Sequence, residues 1–200
     1  MGIRQLDDGS IELFGYANIS ERNSKRLSEK GIKFREQIRK GAWNNAIQRN
    51  DDIKLLVNHS WNKVYGSTKD NLRLYEDNIG ARFSIKTSDI ELINHAKNNE
   101  FKGLSFAFRC KDDKFIDDGA IKLRYVNDMD VTEISLLTVE PAYDGAFVEM
   151  RDKDGNLIEI RDYKIEYEDY SGQETKILEE ARAKEDLELK LKLLSMELAL

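Results

Sequence analysis

Leu55-Leu56-Val57-Asn58-His59 is an apolar run that ends in one of only two histidines in the chain. Gly103-Leu104-Ser105-Phe106-Ala107-Phe108 sets one hydroxyl among apolar side chains. Val131-Thr132-Glu133-Ile134-Ser135-Leu136-Leu137-Thr138 sets a carboxylate inside a third apolar run. Imidazole, hydroxyl and carboxylate are the parts of an activated oxygen nucleophile. A serine hydroxyl attacks poorly at neutral pH, so it needs a base within hydrogen-bond reach, and that base needs an orienting group. Each of the three groups sits where burial is costly without a partner.

Competing roles exist for each. Strand alternation puts Leu104, Phe106, Phe108 and Cys110 on one face and Ser105, Ala107 and Arg109 on the other. Ser105 is therefore either an ordinary small strand residue or a nucleophile on a small-sided face with room for a substrate backbone. His59 ends a strand whose Ile53, Leu55 and Val57 share its face, as a core histidine would. His95 is the other imidazole, and its neighbours Asn94, Lys97 and Asn98 mark it as a surface residue. Glu133 needs a counter-charge or donor, which His59, Arg73 or Arg109 would supply. Asp128 and Asp130 read as part of a polar turn before that strand. Cys110 faces away from Ser105 and has no base adjacent in sequence.

Further segments accompany these three in order: Phe14-Gly15-Tyr16-Ala17, Phe34-Arg35-Glu36-Gln37-Ile38, Gly41-Ala42-Trp43, Tyr65-Gly66-Ser67-Thr68, Leu72-Arg73-Leu74, Glu76-Asp77 with Gly80, and Glu140-Pro141-Ala142-Tyr143. Over about residues 11–150 this order and spacing resembles the prohead proteases of tailed bacteriophages, a family related in fold to the herpesvirus assemblins. The resemblance implies a serine endopeptidase with Ser105 as nucleophile, His59 as general base and Glu133 as the third member, with no metal or organic cofactor. The implied substrates are the major capsid protein with its scaffold segment, and the protease itself, inside an assembling procapsid in the host cytoplasm. The resemblance places the oxyanion hole at about Thr138–Tyr143, where assemblins carry paired arginines and this chain has none; backbone amides remain as donors. The alternative is a non-catalytic capsid assembly or scaffold protein that keeps the same barrel.

Composition sets the outer limits. The chain has 200 residues, enough for one domain and an appendage. Its net charge of −6 argues against a general nucleic-acid binder. One cysteine excludes an internal disulfide and suits a reducing compartment. No run has the length of a membrane span, and the N-terminus lacks a basic-then-apolar signal pattern. Two histidines and one cysteine make a structural zinc site improbable.

The elements that must position the chemistry are mostly strands. Ile11–Ala17, Ile53–Asn58, Leu72–Tyr75, Ala81–Thr87, Leu104–Cys110 and Ile121–Val126 read as strands between polar turns. Asp118-Gly119 and Asp154-Gly155 mark tight hairpins. Trp43–Gln48 reads as a short helix. Asp89–Asn98 reads as a second one, with Ser88 and Glu91 as a capping box and Ile90, Ile93 and Lys97 on neighbouring turns. The expected fold is β-rich α+β: an antiparallel β-barrel of short strands with two or three surface helices. It fills residues 1–165. Residues 166–200 are a linker and a C-terminal amphipathic helix. There Leu187, Leu191, Leu194 and Leu198 run beside Leu189, Leu193, Met196 and Leu200 as one wide apolar face. Its partner is the barrel's outer wall, a second copy or a scaffold helix, and the run of the pattern to Leu200 favours the last two.

Overall fold

The computed structural model describes residues 1–29, 32–119, 121–138, 147–151, 157–164 and 168–169. Its organising element is a pair of long strands. β9 (Gly103–Asp118) and β10 (Ile121–Leu137) have sixteen and seventeen residues and pair antiparallel along their whole length. Asp128 and Asp130 read in sequence as part of a polar turn. They are instead ladder residues of this hairpin, whose far half is largely solvent-facing on β9. Gly119, at φ 75, closes the hairpin in the left-handed region that glycine enters without a Cβ penalty.

The outer edge of β10 is shared by two strands, both parallel to it. β4 (Ile32–Ile38) pairs with Lys122–Val126, and β5 (Lys54–Val57) pairs with Glu133–Leu136. Between them the chain leaves the sheet and forms α1 (Ala42–Arg49). The β10 carbonyls left open there are taken by side chains at the helix end. Arg49 Nη2 donates to Met129 O at 2.7 Å, and Asn50 Nδ2 donates to Val131 O at 2.9 Å. At the other end of α1, the Glu76 carboxylate accepts from the backbone N–H groups of Gly41 and Asn44. A carboxylate there satisfies orphan amides and suits the helix dipole.

The second sheet runs β11 (Phe147–Arg151), β12 (Leu157–Lys164), β9, β10, β4 and β3 (Leu27–Glu29), with β6 (Gly66–Ser67) on β5. The first sheet runs β13 (Glu168–Asp169), β1 (Gly2–Gln5), β2 (Ile11–Ile19), β8 (Gly80–Thr87) and β7 (Leu72–Glu76). Ile11, Leu13, Phe83 and Ile85 of the first sheet share one core with Phe106, Phe108, Ile134 and Leu136 of the second. Trp43 of α1 completes it, its ring 4.9 Å from that of Phe106.

The expected barrel is therefore corrected. Among the described residues neither sheet closes on itself, and the strands β4, β5 and β13 pair in parallel. Alternation records which face of a strand is buried but not which edges pair, so a barrel and two facing sheets carry the same pattern. The second helix, α2 (Ile90–Lys97), starts one residue later than its apparent box. Asp89, not Ser88, is the N-cap, and its side chain accepts from Leu92 N at 3.0 Å. Leu92 and Ala96 are its buried positions, while Ile90 is exposed. No helix of the described residues is long and apolar enough to cross a membrane. The Asp154-Gly155 turn and the C-terminal helix lie outside the described residues.

A cluster of charge is buried where β4, β10 and β12 meet. Glu36 accepts from Arg124 Nη1 at 2.9 Å and from Arg161 Nε and Nη2 at 2.6 and 2.8 Å. Glu159 accepts from the same two guanidiniums. Burial alone would raise the Glu159 carboxyl, but hydrogen bonds from Arg124 and the charges of Arg161 and Arg124 hold it below its ordinary value of 4.5. A carboxyl lowered by folding contributes stability above that ordinary value and loses it as pH falls toward the folded one. Folding stability should therefore drop as pH falls below about 4.5. Glu36→Ala should cost about 3–5 kcal/mol, because two buried guanidiniums lose one of the two carboxylates they share. Urea unfolding at pH 7 checks this; an unchanged midpoint would show that the cluster does not hold the sheet.

Candidate active site

Ser105 lies on β9 between Leu104 and Phe106, both of which face the core. Its own side chain is on the opposite face, with Ala107. On β10, Glu133 and Ser135 alternate in the same way against Ile134 and Leu136. The register sets Ser135 directly opposite Ser105 and Glu133 opposite Ala107. Side chains opposed across a ladder have Cβ atoms about 4.5–5.5 Å apart. Ser105 and Ser135 are 0% exposed and Glu133 is 2% exposed. The face is thus covered rather than open, which corrects the expectation of room beside Ser105. Among the described residues Ser105 Oγ has no hydrogen-bond partner.

The imidazole reaches this face by a backbone reversal. β5 ends at Val57, and the next two residues are left-handed, Asn58 at φ 51 and His59 at φ 57. Strand alternation therefore does not govern His59, contrary to the sequence expectation that it shares a face with Leu55 and Val57. Left-handed backbone in non-glycine residues costs of order 1–3 kcal/mol and persists only where surrounding contacts hold it. Asn58 N donates to Leu136 O at 2.9 Å, and His59 N donates to Ser135 Oγ at 2.9 Å. The Asn58 amide and Thr138 bond reciprocally: Nδ2 donates to Oγ1 at 2.7 Å, and Thr138 N donates to Oδ1 at 2.9 Å.

Held in this way, His59 Nδ1 lies 2.7 Å from Glu133 Oε1. The carboxylate accepts the Nδ1 proton, which leaves the Nε2 lone pair as the basic position of a neutral ring. The His59 side chain is 24% exposed, so the ring spans buried carboxylate and accessible surface. His59 and Glu133 are therefore in direct contact. Ser105 shares the face of Glu133 and Ser135, one strand from the serine that holds the His59 backbone.

The competing residues lie elsewhere or have other partners. Arg73 is exposed on β7 of the other sheet. Asp128 and Asp130 belong to β10 and take Arg49 at 2.7 and 2.8 Å. His95 is partly buried rather than on the surface; its Nδ1 lies 2.6 Å from Glu100, and its ring packs near Phe101. Burial pushes the Cys110 thiol up to about 12, so it carries almost no thiolate at neutral pH. Among the described residues no three His, Cys, Asp or Glu side chains gather as metal ligands. Of the stretch expected to form the oxyanion hole, only Thr138 is described.

Sequence reasoning assigned no role to Asn58 or Ser135, and placed Thr138 only in the stretch expected to form the oxyanion hole. Signals for the first two were present. Asparagine tolerates left-handed backbone, and Ser135 lies two residues from Glu133 on the same strand face.

An imidazole in contact with a carboxylate, on the strand face that carries a serine, holds the groups that a hydrolase with a hydroxyl nucleophile would use. A family model described as the caudovirus prohead serine protease matches residues 1–160. The chain belongs to that family. No curated protein and no solved structure matches it.

Proposed function

We propose that this chain is the serine endopeptidase that matures a phage procapsid, with Ser105 as nucleophile, His59 as general base and Glu133 as the group that orients the imidazole. The observation that carries the reading is the 2.7 Å contact between His59 Nδ1 and Glu133, made on the face that holds Ser105. His59 Nε2 would take the Ser105 proton as Oγ attacks a peptide carbonyl. It would then return that proton to the leaving amine, and water would hydrolyse the acyl-enzyme by the same route. Ser105 is fully buried in this structure, so a peptide reaches it only after its cover shifts.

The substrates proposed are the major capsid protein with its scaffold segment, and the chain itself, inside the procapsid in the host cytoplasm. Residues from about 174 onward, after a linker, are proposed to form an amphipathic helix that engages a scaffold helix or a second copy. The burial of Ser105 also favours one rival, a non-catalytic assembly protein of the same fold. Co-expression with the cognate capsid protein, followed by intact mass, separates the two. The protease reading expects a shortened capsid protein with one defined new terminus; a full-length product in assembled particles would support the rival.

A further inference from the structure

The turn that carries His59 is held by two side chains outside the Ser105–His59–Glu133 set. Two consecutive non-glycine residues, Asn58 and His59, take left-handed backbone. The His59 N–H has left the β5–β10 ladder, and it is Ser135 Oγ that accepts it. Ser135 is fully buried, so no solvent stands ready to replace that oxygen. On the other side of the turn, Thr138 both donates to and accepts from the Asn58 amide. Ser135 also pairs in register with Ser105 on one side and with Leu56 of β5 on the other. One hydroxyl therefore ties the backbone of the base to the strand beside the nucleophile.

We infer that Ser135 and Thr138 are positioning residues, a clamp that keeps His59 left-handed so that its ring meets Glu133 on the Ser105 face. The inference rests on the proposed catalytic roles. Without the Ser135 oxygen the part-buried His59 N–H loses that acceptor, and the turn relaxes toward ordinary backbone. That swings the imidazole away from Glu133 and loosens its approach to Ser105. A displacement of about 1 Å in a catalytic group costs on the order of a hundredfold in rate.

The test uses the full chain and a fluorophosphonate probe, with the labelled residue mapped by peptide mass. In Ser135→Ala the label should still fall on Ser105, but its rate constant should drop roughly 10- to 100-fold. The downfield Nδ1 proton signal of His59, present in the wild type, should be lost to exchange. Thr138→Val, at a partly exposed position, should lower the rate in the same direction by less. A folded Ser135→Ala protein with the wild-type rate and an intact His59 signal would overturn the clamp while leaving the catalytic roles standing. If Ser135→Ala does not fold, Thr138→Val decides, and an unchanged rate overturns the clamp. Label on Ser135 rather than Ser105 would overturn it too, since Ser135 would then be the nucleophile. A wild-type protein that takes no label at Ser105 would sink the proposed function, and the clamp with it.

Discussion

Ser105→Ala should abolish capsid-protein processing, with a loss on the order of a million-fold in rate. The size of the effect follows from chemistry. The covalent route needs an oxygen on β9, and alanine removes that oxygen and nothing else. The side chain is fully buried and its Oγ has no hydrogen-bond partner among the described residues, so the fold should tolerate the change. Such a variant should unfold at the wild-type temperature while the capsid substrate stays intact in co-expression. Cleavage at a comparable rate would remove Ser105 from the mechanism.

Glu133→Gln should lower the processing rate about ten-thousandfold. The amide keeps the size of the carboxylate but can present an N–H to His59 Nδ1. That favours the tautomer whose proton sits on Nε2, where the base must accept one. The charge that stabilises a protonated imidazole also disappears. The comparison that checks this is the initial rate of substrate cleavage by wild type and variant, with thermal unfolding as the control for folding. A loss of less than tenfold would reduce Glu133 to a structural partner of His59.

Much of the scaffold was legible because burial leaves a period-two trace. The strands β2, β7 and β8 fall where Ile11–Ala17, Leu72–Tyr75 and Ala81–Thr87 alternate. Both described helices fall close to where the sequence reading puts them, although Asp89 rather than Ser88 caps the second, and Leu92 and Ala96 rather than Ile90 are its buried positions. The strand β4 was hidden because Glu36, a charged residue, occupies a buried position that only Arg124 and Arg161 make tolerable. Those partners lie 88 and 125 residues away in sequence. Closure into a barrel was misread because edge pairing leaves no mark in alternation.

The site divides along the same line. Residue type and order singled out His59, Ser105 and Glu133, and the structure joins the first and last of them directly. What could not be read was how His59 arrives there. Its strand stops at Val57, and two left-handed residues re-aim the ring by contacts to Ser135, Leu136 and Thr138, more than seventy residues further on. Local propensity permits such a turn at Asn58 but does not show what it packs against.

The central claim is that Ser105 is a nucleophile activated by His59. Its most direct test is to treat the purified wild-type chain with a fluorophosphonate at neutral pH and map the modified residue by peptide mass. One covalent adduct on Ser105 is predicted, absent in Ser105→Ala and greatly slowed in His59→Ala. An adduct on any other residue, or none under conditions where the same preparation cleaves capsid protein, would contradict it.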